Sequence, residues 1–163
     1  MIEETNRVPA NGRRDRGLDL VDRRLLAILA EDASLSYAEL GQRLHLSPPA
    51  IHERVRRLRR DGVITGTVAR LDGAKIGRAL LTFVHVDTAD WGKTQSMLAL
   101  TELPEVEELH AVTGDTCLIL KVRTPDPPAL ERLLAQIYAI EGVRGTRSYV
   151  VLSSQVERGP RPL

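Results

Sequence analysis

The sequence predicts an α+β protein with two parts: an N-terminal domain of the winged helix-turn-helix type and a C-terminal ferredoxin-like βαββαβ domain. Residues 18–60 place apolar side chains at helical spacing and carry three helix-start signals. Residues 80–152 contain the same strand–helix–strand pattern twice. With 163 residues, of which 42% are hydrophobic and only 3% aromatic, the chain is long enough for two small domains with aliphatic cores.

These patterns divide the chain into five segments. They are a mobile polar arm over residues 1–17, the helix-turn-helix domain over 18–66 with the motif itself at about 37–56, a strand and linker over 67–79, the ferredoxin-like domain over 80–154, and a tail over 155–163. Basic residues are concentrated toward the N-terminus. Residues 1–70 hold 13 Lys and Arg against 10 Asp and Glu, a net charge of +3, whereas the remaining residues hold 10 against 12, a net charge of −2.

The first two helices are predicted from their caps and their apolar spacing. Asp19 is a suitable N-cap for a first helix. The apolar positions of that helix are Val21, Leu25, Ile28 and Leu29. The segment "SYAE", Ser36 to Glu39, is a capping box, in which each side chain accepts a hydrogen bond from the backbone amide of the other residue. It predicts a short second helix that runs to Leu44.

The third helix is contained in the segment "LSPPAIHERVRRLRRDGVI". It is predicted to start at Ser47, because Pro48 and Pro49 then lie in the first turn, where the amide protons that proline lacks have no partner within the helix. The dipeptide "DG" ends it. The following segment "VITGTVARL", residues 63–71, is rich in β-branched residues and predicts a strand.

The second half of the chain contains an internal repeat. The strands "LLTFVHVD" and "TCLILKVR" are each followed by a helix, near residues 93–102 and over 127–140, and each helix is followed by a returning strand. The order βαββαβ predicts an antiparallel sheet with both helices on one face. Because Val, Leu and Ile occur on both alternating faces of the strands, we expect the second face to be buried in a partner subunit.

The third helix has one apolar face and one strongly basic face. At about 100° per residue, Ile51, Val55 and Leu58 fall together and are expected in the core. The opposite side consists of Pro49, His52, Glu53, Arg56, Arg57 and Arg60, with Arg54 at the border. Five arginines lie within residues 54–60, and like charges on neighbouring turns repel each other. This excess of one sign indicates an external anion.

These features predict a helix-turn-helix that binds double-stranded DNA. Gly41 allows the two helices to approach closely, and the connection through His45 and Leu46 is short. The start of the second helix of such a motif meets base edges, and arginines further along meet phosphates. The candidate DNA-binding residues are Ser47, Pro49, Ala50, His52, Glu53, Arg54, Arg56, Arg57 and Arg60. Arg54 has two open roles: it reads bases, or it braces the fold through a carboxylate of the first helix such as Asp22.

With these residues identified, the sequence resembles the leucine-responsive/asparagine-responsive regulators, the feast/famine family of transcription factors, over residues 18–152. The segment over residues 18–66 is similar to the family's helix-turn-helix, and the register "LS…V..RL…GVI" is met at residues 46–64. The segment "HAVTGDTCLILKV" is similar to the loop motif of the family's effector domain, and "GTRSYVVL" to its last strand. All three motifs occur in the family's order.

The resemblance implies a transcription regulator that dimerises through its ferredoxin-like domain, and whose dimers commonly assemble into octamers. It also implies a small effector, usually an amino acid, bound between dimers near the loop that spans residues 113–115. The effector-binding residues that it implies are Thr113, Gly114, Asp115, Thr116, Cys117, Thr146, Tyr149 and Val150. A glycine in this loop lets backbone amides approach a carboxylate closely.

Two positions depart from the family pattern. Many relatives have Asp, often followed by Tyr, where this chain has Cys117 and Leu118. The effector is therefore unusual, binds differently or is absent. We interpret Cys117 as a small buried hydrophobe, and the alternative is a redox switch through an intermolecular disulfide. His45 replaces the glycine of the family's turn and is predicted to take a left-handed conformation at some strain.

Composition and motifs also bear on other function classes. A single cysteine excludes an internal disulfide framework. The N-terminus does not resemble a signal peptide, and no apolar run in the sequence approaches membrane-spanning length, so we expect a cytoplasmic protein. No cofactor or metal is expected; the alternative is a metal site shared by His85 and His110 on neighbouring strands. Two other functions remain as alternatives: an enzyme with the same two-domain architecture, because sirohaem decarboxylases resemble this family, and an amino-acid-binding module without DNA binding.

Residues 1–17 are either disordered or a basic arm that contacts DNA phosphates.

Overall fold

The computed structural model describes residues 17–89 and 94–162. The elements, in order, are α1 (Leu20–Glu31), α2 (Tyr37–Leu44), α3 (Pro48–Arg60), β1 (Leu80–Thr88), α4 (Thr94–Thr101), β2 (Val106–Ala111), β3 (Leu118–Thr124), α5 (Pro127–Tyr138) and β4 (Val143–Val150). They form two compact units, one made of the described residues up to Val68 with those from Arg158 onward, the other of Ala69–Glu157. Within the described ranges, no helix is long and apolar enough to cross a membrane.

Three helices close around the core of the first unit. Its buried apolar side chains are Leu25, Leu40, Ile51, Val55 and Leu58. Both predicted caps are confirmed: Asp19 caps α1, and Ser36 with Glu39 forms the capping box of α2. The Asp19 cap is itself a capping box, because the carboxylate of Asp22 accepts from the amide of Asp19 in return. Ser47 is the N-cap position of α3, but its side chain makes no capping bond, and the two prolines follow it.

The turn between α2 and α3 is tight because of two residues. His45 has φ 56° and ψ 43°, the left-handed conformation expected of it. Gly41 is buried, and its carbonyl accepts a hydrogen bond from the amide of Leu46 at 2.9 Å. A Cβ atom on Gly41 would lie only 2.5 Å from the carbonyl oxygen of Leu46, so only glycine fits here without a shift. The predicted close approach at Gly41 is therefore confirmed.

The prediction of a strand over residues 63–71 is wrong: the structure describes these residues and they form no strand. This strand would have been the wing of the helix-turn-helix domain. Gly62 has φ +73°, and the amides of Val63 and Ile64 donate to the carbonyl of Leu58, which closes the end of α3. The chain then continues without strand pairing, and Val68 and Leu71 are exposed. β-Branched residues favour an extended backbone, but a strand also needs a neighbour for its amide and carbonyl groups, and no described strand takes that place.

The second unit has the predicted βαββαβ order. Its four strands are all antiparallel in the order β2-β3-β1-β4. One face of the sheet packs against both helices, as expected. The buried core between them consists of Val84, Val86, Leu100, Leu118, Leu120, Val122, Leu130, Leu133 and Ile137. The helix α5 ends at Tyr138, two residues earlier than predicted, and β3 begins at Leu118 rather than at residue 116.

The second face of the sheet carries aromatic and charged side chains side by side. Phe83 is partly exposed, and the rings of His85 and Tyr149 lie 4.8 Å apart. Beside them, Arg123 bonds Glu107 at 2.6 Å, and Lys121 pairs with carboxylates at 3.3–3.5 Å. Lys121 and Arg123 both also pair with Glu157, which attaches the start of the predicted tail to the sheet. Part of this face is therefore ionic rather than apolar.

The alternative metal site on neighbouring strands is not formed. His85 and His110 are both registered with Ile119, which lies on the strand between theirs. Two interstrand spacings separate their backbones by roughly 10 Å. Among the described residues, no group of three or more His, Cys, Asp or Glu side chains is arranged to hold a metal ion.

Candidate nucleic-acid interface

The helix α3 presents most of the predicted DNA-binding residues to solvent. The exposed ones are Ser47, Pro49, His52, Glu53, Arg56 and Arg60. Its opposite face is buried through Ile51, Val55 and Leu58, as the helical periodicity predicts. The other three candidates, Ala50, Arg54 and Arg57, are half-buried on the side of α3 that faces α1.

Asp22 of α1 is fully buried and binds two arginines of α3. Its Oδ1 accepts from Nη1 of Arg54 at 2.8 Å, and its Oδ2 accepts from Nη2 of Arg57 at 2.6 Å. The two arginines are three residues apart, so they lie on one side of the helix on successive turns. Of the two roles open for Arg54, the structure shows the ion pair with a carboxylate of the first helix. Arg57, which was predicted on the exposed face, binds the same carboxylate.

Asp19 completes this cluster from the solvent side. Its Oδ2 accepts from Nη1 of Arg54 at 2.7 Å, and its Oδ1 accepts from the amide of Asp22 at 2.6 Å. The Arg54 guanidinium, aided by that amide, holds the pKa of the Asp19 carboxyl below its usual range. In return, Asp19 raises the pKa of Arg54. The cluster contains two carboxylates and two guanidinium groups, so it is electrically neutral.

The remaining candidate arginines make only exposed pairs. Arg56 bonds Glu53, and Arg60 bonds the neighbouring Asp61, each at 3.1 Å. Exposed pairs of this kind stabilise a protein by roughly 0–1 kcal/mol, so a DNA phosphate can replace the carboxylate at little cost. His52, near the start of the helix, has its ring edge-on to that of Tyr37 with centroids 5.4 Å apart, which restricts its orientation.

The predicted effector loop is anchored at its C-terminal end, through Asp115 and Thr116. At its centre, Gly114 has φ +135°, a conformation that side chains rarely adopt. Arg147 of β4 donates to the carbonyl of Asp115 at 2.9 Å, and its guanidinium lies 3.5 Å from the Asp115 carboxylate and 3.7 Å from that of Asp87. The buried hydroxyl of Thr116 donates to the carbonyl of Val86.

The predicted effector residues on β4 fall into two groups. The amide of Thr146 donates to the hydroxyl of Tyr138, whose pKa is lowered by this bond, and Thr146 lies next to the loop-binding Arg147. Tyr149 and Val150 are three and four residues further along the strand, roughly 10–14 Å from Thr146. Cys117 packs partly buried against the core of the second unit, consistent with the interpretation as a small hydrophobe.

The pairing of Arg54 with Asp22 was among the alternatives that the sequence offers, but the roles of Asp19 and Arg57 in that cluster and the partners of the effector loop were not predicted. The network through Asp19, Asp22 and Arg57 depends on how α1 packs against α3. The pairing of Asp87 with Arg147 depends on the register of β1 against β4. The one signal that was available is the pattern "DLVD", which places two carboxylates three residues apart at a helix start.

Comparison with known proteins identifies the family of both parts of the chain. An AsnC-type helix-turn-helix model matches residues 18–59, and an Lrp/AsnC ligand binding domain model matches residues 82–161. The leucine-responsive regulatory protein of Escherichia coli is 39% identical over 150 residues, which cover 89% of this chain and 91% of that protein. The chain belongs to the Lrp/AsnC family. It is accordingly a DNA-binding transcriptional regulator.

Solved structures of Lrp/AsnC relatives have the same architecture. The feast or famine regulatory protein from M. tuberculosis, complexed with L-methionine, is 35% identical with a TM-score of 0.83, over 90% of this chain and 100% of that one. A regulator from Neisseria meningitidis in complex with L-Met is 26% identical with a TM-score of 0.83, over 87% and 94%. The predicted α+β fold and the family resemblance are confirmed.

Proposed function

We propose that this Lrp/AsnC regulator is a cytoplasmic homo-oligomer that binds specific operator sequences through α3 and adjusts that binding to an amino acid held near residues 113–117. It acts by binding and not by catalysis, and it needs no cofactor. The observation that carries the proposal is the single exposed face of α3, where polar side chains near the helix start are followed by the unburied arginines Arg56 and Arg60.

Base recognition is assigned to the first turns of α3. Pro49, His52 and Glu53 are exposed there, and Ala50 is half-buried beside them. Glutamate accepts hydrogen bonds from cytosine N4, and apolar side chains contact thymine methyl groups. Arg56 and Arg60, one turn and two turns beyond Glu53, bind the phosphate backbone. In a dimer, two such helices enter successive major grooves, with half-sites about 34–36 Å apart.

Dimerisation is assigned to the second face of the sheet, which is opposite the face that packs against α4 and α5. Phe83 on β1 and Tyr149 on β4 are paired in register and are exposed large apolar side chains of this face, and Leu152 just beyond β4 is almost fully exposed. Neighbouring apolar side chains that remain in water mark an interaction surface. A second copy covers this face, and dimers assemble further, up to octamers.

The effector is assigned to the anchored loop. Two relatives of the same fold bind L-methionine, and the loop here combines a left-handed glycine, which exposes backbone amides, with the guanidinium of Arg147. Both groups bind a carboxylate. The second acidic group beside Arg147, Asp87, accepts an ammonium group, which compensates for the absence of an acidic side chain at Cys117.

The decisive experiment selects genomic fragments with the purified full-length protein. Retained fragments are scored by gel shift over a salt series, without and with a panel of amino acids that includes L-methionine. Sequence-specific retention with a steep salt dependence supports operator binding. No retention at low salt contradicts it, and a test for tetrapyrrole absorbance would then address the enzyme alternative.

The effector assignment needs its own variant. Arg147→Gln removes the cation that anchors the loop, and we expect DNA binding to remain while the shift caused by the active amino acid is lost. Arg144→Gln is the matched control, because Arg144 is exposed on the same strand and has no assigned role. An unchanged response in the Arg147 variant removes this residue from the effector site.

A further inference from the structure

The contact between α1 and α3 combines apolar packing with one directional polar clamp. The apolar part, through side chains such as Leu25 and Val55, is not directional and permits α3 to roll or slide by small amounts. The carboxylate of Asp22 instead bonds Arg54 and Arg57 at 2.6–2.8 Å on two successive turns of α3. Two directional bonds from one buried group to two turns fix the rotation of the helix about its own axis.

The Asp22 carboxylate is itself held rigidly. It is fully buried, and its Oδ2 accepts from the amide of Asp19 within the capping box of α1. Because the side chain belongs to the first turn of α1, it cannot follow α3 if that helix moves. The reference point for the rotation of α3 is therefore the start of α1.

The two arginines keep donors for a second partner. Arg54 uses only Nη1 for its two carboxylates, and Arg57 uses only Nη2. A guanidinium has five N–H donors, so each group retains at least three. The side chains are 28% and 26% exposed, next to Ala50 and Glu53 in the cleft between α1 and α3. The Asp22 carboxylate therefore sets the orientation of both guanidinium groups and, because they belong to α3, that of the base-recognition residues as well.

We infer that Asp22 is a positioning residue that determines the sequence specificity of this regulator, by fixing the rotation of α3 through Arg54 and Arg57. Base contacts depend on orientation, because a bidentate hydrogen bond to a base edge is lost when the helix rotates. Phosphate contacts tolerate rotation better, since they depend mainly on charge. The inference rests on DNA binding through α3.

The test compares two substitutions that remove the same charge. Asp22→Asn and the control Asp61→Asn each remove one carboxylate next to an arginine of α3, but Asp61 is exposed at the end of the helix. Affinities of the full-length protein are measured for a selected genomic fragment and for random-sequence DNA. We expect Asp22→Asn to lower the ratio of these affinities about tenfold, the value of one base contact, without weakening random-sequence binding. Asp61→Asn leaves the ratio unchanged.

Other outcomes contradict the inference. An equal loss of affinity for both DNAs means that Asp22 serves only folding, and identical behaviour of the two variants means that it contributes only charge. If Asp22→Asn does not fold, Arg57→Gln decides, because the Arg57 side chain is 26% exposed and less critical for the core, and the shorter glutamine side chain loses the contact that Nη2 makes with Asp22. A reduced ratio with an unchanged salt slope supports positioning. Uniform weakening with a slope reduced by about one unit would show instead that Arg57 is a phosphate contact. Failure of the unaltered protein to bind DNA is a separate result, which contradicts the proposed function.

Discussion

Replacing Gly41 by alanine sets two effects of opposite sign against each other. Within a helix, alanine is more favourable than glycine by roughly 1 kcal/mol, so α2 considered alone predicts a more stable protein. The structure predicts the reverse. The added Cβ would lie 2.5 Å from the carbonyl oxygen of Leu46 and 3.7 Å from the backbone nitrogen of Pro48. The first distance is far shorter than an ordinary contact between carbon and oxygen.

No small side-chain movement can relieve this clash. The oxygen is a backbone atom, and the amide of the same residue, Leu46, is bonded to the carbonyl of Gly41. Overpacking of this kind costs about 1–3 kcal/mol, and we take the upper end because backbone must move. After the propensity gain of about 1 kcal/mol is subtracted, Gly41→Ala lowers the free energy of unfolding by about 2 kcal/mol. It also weakens operator binding, because the shift occurs between α2 and α3.

Urea denaturation of the full-length protein, followed by far-UV circular dichroism, measures the effect. Gly66→Ala is the control, because a Cβ there meets nothing within 4 Å and the backbone is not left-handed. We expect that control to remain within about 0.5 kcal/mol of the unaltered protein. If Gly41→Ala were as stable as the unaltered protein or more so, the carbonyl of Leu46 would not obstruct a Cβ atom at this position.

Three further predictions follow from single residues. His45→Gly removes the left-handed strain and stabilises the first unit by up to about 1 kcal/mol, after the entropy of glycine in the unfolded chain is subtracted; a lower urea midpoint contradicts this. The pKa of Asp19 and of Glu39 is lowered by Arg54 and Ser36, so their contribution to stability is complete above the unfolded values of 3.8 and 4.5 and is lost as the pH falls through the lowered folded-state values. Urea midpoints measured down to about pH 2.5 check the direction, and Asp19→Asn reduces the dependence on pH. Arg56→Ala lowers the slope of log affinity against log salt by about 0.9 per helix bound, and an unchanged slope removes this arginine from the phosphate contacts.

Local signals were sufficient for the elements that depend on local chemistry. The caps at Asp19 and Ser36, the prolines at the start of α3 and the left-handed His45 all involve interactions within a few residues. The two strand–helix–strand repeats were also predictable, because apolar alternation and helical spacing are visible in a single sequence. Both patterns are set by residues close together in the sequence and do not depend on which distant parts of the chain come into contact.

Most features that depend on distant partners were not predictable, and the pairing of Arg54 with Asp22 was raised only as one of two open roles. Residues 63–71 have strand propensity, but propensity does not provide a neighbouring strand. The helical wheel placed Arg57 on the solvent side because it assigns a direction to the Cβ atom, whereas the long side chain reaches back to Asp22, 35 residues earlier. For the same reason, the partners of the effector loop, Asp87 and Arg147, emerged only from the strand register. Such long-range ion pairs require the packing to be known first.

The most direct test of operator recognition by α3 is the ratio of affinities for a selected genomic fragment and for random-sequence DNA, measured with the double variant His52→Ala/Glu53→Ala. Both side chains are exposed near the start of α3. If this end of the helix reads bases, the ratio falls toward one, while the affinity for random-sequence DNA is retained because Arg56 and Arg60 remain. An unchanged ratio would contradict the assignment and place sequence recognition elsewhere in the protein.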